Sequence, residues 1–280
     1  MLRKLGIVLL ILCSFNAVAE NLRVKKVDGQ NDQLIFSVLE LAMSKADNNA
    51  IFVQGNEAFN SVRASAEVEA KNLDVFWSGA SPNYDANFLA VRIPVLKGLL
   101  GHRIFIIRAE DENKFAQINS FSDLTKFDAG QGTFWGDTKI LKNAQIPTVT
   151  TIKYGNLFPM LEGGRFDYFP RAVHEPWVEV KSRPELNLVV EKNTMLIYPF
   201  AMYFYVHKDN QQLHDKIYKG FEMAINDGSF DELFFNNPMI KDVLSLANLS
   251  QRKVIRVDNP FMHPDTPNDR KEFWLDVENL

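Results

Sequence analysis

The sequence predicts an α/β protein of two lobes. Three observations carry this. The chain alternates short apolar strands with amphipathic helices from Asn21 onward, the pattern of parallel strands joined by crossover helices. The alternation restarts after the β-branched run "HRIFIIRAE". The 280 residues suffice for two units of ordinary size. Each lobe is expected to be a mixed, mostly parallel sheet flanked by helices, with two β-rich crossings between the lobes.

The first block begins with a strand in "NLRVKKV". In "DQLIFSVLELAMSKA" the spacing of Leu34, Ile35, Val38, Leu39, Leu41 and Ala42 is helical, with Asp32 expected as N-cap. "NAIFVQG" reads as a strand, "AFNSVRASAEVEAKN" as a helix, and "LDVFWSG" as a strand with a polar, aromatic tip. The second block has a short helix in "FSDLTKF", a helix in "GNLFPMLEGG", and strands in "RFDYF" and "LNLVVEK". "YPFAMYFYVHK" is a long return strand, followed by helices up to "DGSFDELFFN". The Pro- and Asn-rich tail is expected to lie extended on the surface, anchored by Trp274.

The N-terminus carries Arg3 and Lys4, an apolar run from Leu5 to Phe15, and Ala17-Val18-Ala19. This is the pattern of a secretory signal peptide cleaved after Ala19. Cys13 is the only cysteine, so the mature chain lacks disulfides and thiol chemistry. Of 31 basic residues the mature chain loses Arg3 and Lys4, leaving 29 against 35 acidic ones and a net charge of −6. That argues against a nucleic-acid partner. A soluble periplasmic protein is the expectation.

"EGGRFDYFPRAVHEPW" crowds Arg171, His174, Glu175 and Trp177 behind an aromatic run. Pro170, unable to donate a ladder hydrogen bond, is expected to stop the strand. The crowding of charge and aromatic surface suits a binding cleft.

Five pieces in order make the chain resemble the type 2 periplasmic solute-binding proteins, in particular the family-3 proteins that serve polar amino acid ABC transporters. They are "LDVFWSGAS", Pro94 in "RIPVLKGLLGHRIFIIR", "SDLTKFDAGQGT", "LEGGRFDYF" and "FYVHKDNQQLHDKIYKGFEMAINDGSF". The resemblance covers nearly the whole mature chain. It implies a two-lobe periplasmic binding protein type II fold, with 1–19 as signal peptide, 20–106 and 200–280 as lobe 1, and 107–199 as lobe 2. It also implies that the chain, as a monomer, closes over a small polar or anionic solute, amino-acid-like or a carboxylate. Delivery would be to the permease of an ABC transporter; the alternative partner is a membrane sensor. Two family features are missing: Tyr84 in "SPNY" stands where the amino acid binders carry a carboxylate-binding Arg, and Arg171-Ala172 stand where they carry an ammonium-binding Asp.

Ligands of open α/β lobes sit beyond the carboxyl ends of parallel strands. One such end offers Trp77, Ser78, Gly79 and Ser81. A second, Gly130 to Asp137, is a glycine-bearing turn before a helix whose free N–H groups suit an anion, and it carries Thr133 and Trp135. Arg171 is suited to a carboxylate and Glu175 to an ammonium group. Trp77 and Trp135 are suited to cover a flat or cationic face. The structural alternatives are an Arg171–Glu175 ion pair, a core role for Trp77, and a hinge salt bridge for Arg92, which is otherwise a ligand contact. Asp167 reads as structural. No catalytic motif, cofactor site or metal site is expected. Gly130-x-Gly132-x-x-x-Gly136 misses the dinucleotide spacing, and His102, His174, His207, His214 and His263 lack metal-ligand spacing. His174-Glu175 is the one acid/base pair. It keeps a dehydratase-like enzyme, known on this fold, as the remaining alternative.

Overall fold

The computed structural model describes residues 21–47 and 49–277; the signal peptide expected over 1–19 lies outside them. In chain order the elements are β1 (Asn21–Val24), α1 (Gly29–Ala46), β2 (Ile51–Gln54), α2 (Ser61–Glu69), β3 (Val75–Gly79), α3 (Pro82–Asn87), β4 (Phe88–Val91), β5 (His102–Arg108), α4 (Glu112–Phe115), α5 (Phe121–Leu124), β6 (Ala129–Gly132), α6 (Gly136–Asn143), β7 (Thr148–Thr151), α7 (Leu157–Glu162), β8 (Tyr168–Ala172), α8 (Pro176–Lys181), β9 (Leu188–Val190), β10 (Thr194–Ile197), β11 (Met202–His207), α9 (Gln211–Asn226), α10 (Ser229–Asn236), α11 (Pro238–Leu246) and β12 (Lys253–Arg256). Among the described residues no helix is long and apolar enough to cross a membrane.

The strands form three sheets, and the two smaller ones adjoin to make one side, the first sheet. On one side β1 pairs in parallel with β2, and β11 lies antiparallel between β3 and β4. These ribbons adjoin, since the Asp74 N–H donates to Arg23 O at 2.9 Å. On the other side the order is β12-β10-β5-β8-β6-β7, with β9 also on β5. Pairing is parallel within β6-β7, β6-β8 and β10-β12, and antiparallel at β5.

Two placements differ from the boundaries read off the sequence. His102–Arg108 is not a crossing; it is the middle strand of the second sheet. Its all-apolar run from Ile104 to Ile107 is buried, as a strand covered on both faces requires. β12, expected in lobe 1, pairs with β10 of the second sheet. The chain passes between the sheets at Leu99–Gly101 and at 198–201. It passes again on entering and leaving β12. Around the last two passages the core is continuous across the sheets: Ile240, Val243 and Leu249 share one cluster with Ile104, Met195 and Ile197.

The C-terminal tail returns to the first sheet. The Leu275 N–H donates to Lys97 O at 2.8 Å, and the Trp274 ring lies so close to Gly98 that a Cβ there would meet it at 2.5 Å. Gly98 also has φ +78°, so glycine is required twice over. Asp32 is not the N-cap of α1. The helix starts one turn earlier, after Asp28, because the Asp32 carboxylate is taken by Lys25 and the Trp77 indole.

The helices pack as their periodicity dictates. Leu34, Val38, Ala42 and Met43 of α1 face Leu213, Ile217, Phe221 and Ala224 of α9. The two backbones touch at Gly220, where a Cβ would stand 1.8 Å from Ala42 O. Backbone on both sides cannot give way. Gly220→Ala is therefore expected to cost about 3 kcal/mol of stability by overpacking, read as a lowered urea midpoint; an unchanged midpoint would refute the close approach.

Candidate solute-binding cleft

Between the sheets lies a cleft of about 620 Å³. Its walls stand at the carboxyl ends of the parallel strands. β1 delivers Lys25, and β3 with its following turn delivers Trp77 through Tyr84. β6 delivers Thr133 through Asp137, and β8 delivers Arg171 with Glu175. Phe200, in a passage between the sheets, forms the floor: a Cβ on Gly79 would meet its ring at 2.5 Å, and one on Gly136 at 2.9 Å. One ring thus sits between two glycines, one from each wall.

Of the residues singled out from the sequence, Trp77, Ser78, Gly79, Thr133, Trp135, Arg171 and Glu175 line this cleft. Arg92 does not; it pairs with Asp85 at 2.9 Å, the salt bridge weighed against a ligand contact. Trp77 is buried and its indole N–H donates to Asp32 at 2.9 Å, so it reaches the cleft as part of its wall. Lys25 stands over the same ring at 4.8 Å and pairs with Asp32 at 2.5 Å. Trp135 is half-buried and stacks on Phe169 at 6.2 Å. Asp167 accepts from the Asp128 N–H at 2.9 Å and from Arg108 at 3.3 Å, a structural arrangement.

The glycines of "AGQGTFWG" differ from expectation. Gly130 and Gly132 lie within β6. Cβ atoms there would collide with the Phe166 and Trp135 rings at 2.2 and 2.3 Å. Their absence of side chain is a packing requirement.

Pro170 does not stop its strand. β8 continues through it to Ala172, with Pro170 opposite Phe105 and Arg171 opposite Ile104. The reason is phase. The Val173 N–H donates to His102 O on β5, while the Ala172 N–H points the other way, to Glu175 at 2.8 Å. Pro170 is in phase with Ala172, and pairing toward β6 reaches only Tyr168. Its missing N–H falls where no ladder bond exists.

Arg171 is therefore inside the sheet and buried. The Glu179 carboxylate accepts from its Nε at 2.9 Å and from its Nη2 at 2.7 Å, and Glu175 lies 2.7 Å from Nη2. The expectation that Arg171 stands free to grip a ligand carboxylate is corrected by these two partners. Glu179, one helical turn past Glu175 on α8, was not foreseen. Burial opposes the Arg171 charge, but Glu175 and Glu179 more than offset it and hold the pKa above its ordinary value. Beside it Arg103, 2% exposed, pairs with Asp137, which also accepts from the Tyr198 hydroxyl at 2.5 Å.

His174 is 2% exposed and does not line the cleft. Burial, then the Arg103 and Arg171 charges, push its pKa down to about 3. A neutral imidazole sealed away from the cleft does not form a working acid/base pair with Glu175. Sequence reasoning missed Lys25, Asp32, Phe59, Arg103, Phe200 and Phe261, all of which line the cleft, and named Phe134 and Asp137 only as part of the turn Gly130 to Asp137. Lys25 was findable, since it follows a strand end as Trp77 does.

The fold is that of the two-lobe type 2 periplasmic binding proteins. An ancestral arginine-binding protein bound to arginine superposes with a TM-score of 0.56 at 16% identity, covering 78% of this chain and 98% of its own. An arginine-specific periplasmic binding protein of Salmonella typhimurium gives 0.56 at 17%, covering 77% and 97%. A glutathione-import protein of Streptococcus mutans gives 0.55 at 11%, covering 79% and 95%. No protein-family model matches the chain, and no curated protein does.

Arg171→Ala removes the cation shared by two half-buried carboxylates, leaving Glu175 the Ala172 N–H and a distant Arg103, and Glu179 the Tyr154 hydroxyl. It is expected to destabilise the fold by about 3–5 kcal/mol, measured by urea unfolding; a variant as stable as wild type would refute the pairing. His174, with a folded pKa below its unfolded value of about 6.5, contributes stability that is full above that pH and is lost as pH falls toward 3. Within that window the loss is about 1.4 kcal/mol per pH unit. In His174→Gln the stability-versus-pH slope between pH 6 and 4 should drop by that amount, and an unchanged slope would count against a buried neutral imidazole.

Proposed function

We propose that the chain is an exported solute-binding protein, cleaved after Ala19, that closes over a small polar organic solute and hands it to the permease of an ABC transporter. The observation that carries this is the cleft itself. It is lined from both sheets, at the strand ends where α/β lobes hold ligands, and its floor is a passage between them. The structural neighbours named for arginine binding and glutathione import support the same reading. The missing Arg at Tyr84 separates this chain from a standard amino acid clamp; Tyr84 instead packs on Phe76 at 5.3 Å and Tyr205 at 5.5 Å.

Closure is a hinge motion about Leu99–Gly101 and 198–201, while the core around β12 holds the rear of the molecule together. Saturating solute is expected to reduce the radius of gyration in small-angle scattering and to raise the melting temperature by mass action. Phe134, 68% exposed at the cleft, supplies contact without supporting the fold. Phe134→Ala should change stability by less than about 0.5 kcal/mol and weaken solute binding by about 1 kcal/mol or more, measured by calorimetry. A bound form with no compaction would refute the closing cleft.

A further inference from the structure

Resting on the solute-binding reading, we infer that the solute of this cleft is an organic cation, an amine or guanidine, with no free carboxylate. The charges along the walls carry the inference. Each buried cation already has a carboxylate: Lys25 has Asp32 at 2.5 Å, Arg103 has Asp137, and Arg171 has Glu175 and Glu179. The remaining lysine of the lining, Lys139, is exposed on α6, where water screens it. The three buried cations of the lining thus stand against three lining carboxylates, Asp32, Asp137 and Glu175, and Arg171 has Glu179, outside the lining, as a further partner. A ligand carboxylate would be desolvated with no unpaired buried cation of the lining, among the described residues, to receive it.

One acceptor is open for a ligand cation. Asp137 is 6% exposed and lines the cleft. Its Oδ1 accepts from Arg103 and Tyr198, while its Oδ2 accepts no hydrogen bond among the described residues. α6 begins at the same place, and a helix N-terminus attracts negative charge. Asp137, in the first turn of α6, already supplies it. The exposed ring of Phe134, whose negative face attracts cations, lines the same cleft.

The unused donors fit the same solute. Arg103 Nε is buried without a partner. The hydrogen bonds of Arg171 to Glu179 run through Nε and Nη2, and none among the described residues runs through Nη1. Both guanidinium charges are already balanced. These N–H groups suit a neutral oxygen, a hydroxyl or an amide carbonyl, in place of a carboxylate.

The test compares matched solutes on the wild-type protein by calorimetry: arginine, agmatine and argininamide, and tryptophan, tryptamine and tryptophanamide. In at least one set the amine or the amide should bind ten-fold or more tightly than the parent amino acid. A parent acid that binds as tightly as both derivatives overturns the inference and leaves the solute-binding reading standing. The same holds if none of the six binds while a neutral or acidic solute from a wider screen binds and compacts the protein. If no solute of any class binds or compacts it, the solute-binding reading fails and the inference falls with it.

Discussion

The pairing of Arg103 and Arg171 with Asp137, Glu175 and Glu179 is the constraint on which the second sheet and its wall of the cleft depend. The two arginines sit on adjacent strands, β5 and β8. Their carboxylates come from the starts of two different helices, α6 and α8. Two guanidinium groups side by side in a sheet would repel and be costly to bury. Three carboxylates brought over the strand ends make the arrangement stable, and in doing so fix where both helices begin. Tyr198 joins through Asp137 and Tyr154 through Glu179 at 2.5 Å, tying a passage between the sheets into the same network. The network leaves the cleft wall with its cations already paired and Asp137 Oδ2 open.

Phe200 plays the corresponding part at the floor. Gly79 and Gly136 lack Cβ atoms where its ring lies, so the walls meet around one aromatic side chain. A flat ring between two bare backbone positions permits rocking without loss of contact. Opposite the cleft, the apolar cluster that joins Ile240 and Val243 to Ile104 and Met195 resists separation. The molecule is thus held at its rear, hinged at its floor and open at its mouth, where Phe134 is exposed. Under the proposed function, solute capture is a rotation of two walls about a fixed back.

Legibility in the sequence followed the range of the interaction. Strand–helix alternation is local, and β1 to β3, α1, α2, α9 and α10 stand where their periodicity places them. Strand-end logic also brought Trp77, Thr133 and Glu175 to the cleft. It failed where a partner is distant in sequence. Glu179 is only eight residues from Arg171, yet nothing in the local pattern says that α8 folds back over β8. Arg103 lay hidden in an apolar run that reads as a crossing. Pro170 was misjudged because whether a proline breaks a strand depends on which side its missing N–H faces, and that is a matter of pairing.

The sequence by itself determined the two-lobe α/β plan and the general location of the cleft, because hydrophobic period, turn residues and strand ends are properties of short segments. The tertiary structure decided everything that depends on who meets whom. It placed β12 in the second sheet, turned Arg171 from a free cation into a paired one, and sealed His174 away from the cleft. It also made the glycines of β6 seats for Phe166 and Trp135. Each outcome is set by how the chain folds back on itself or by the phase of a ladder, and neither is written in the spacing of neighbouring residues.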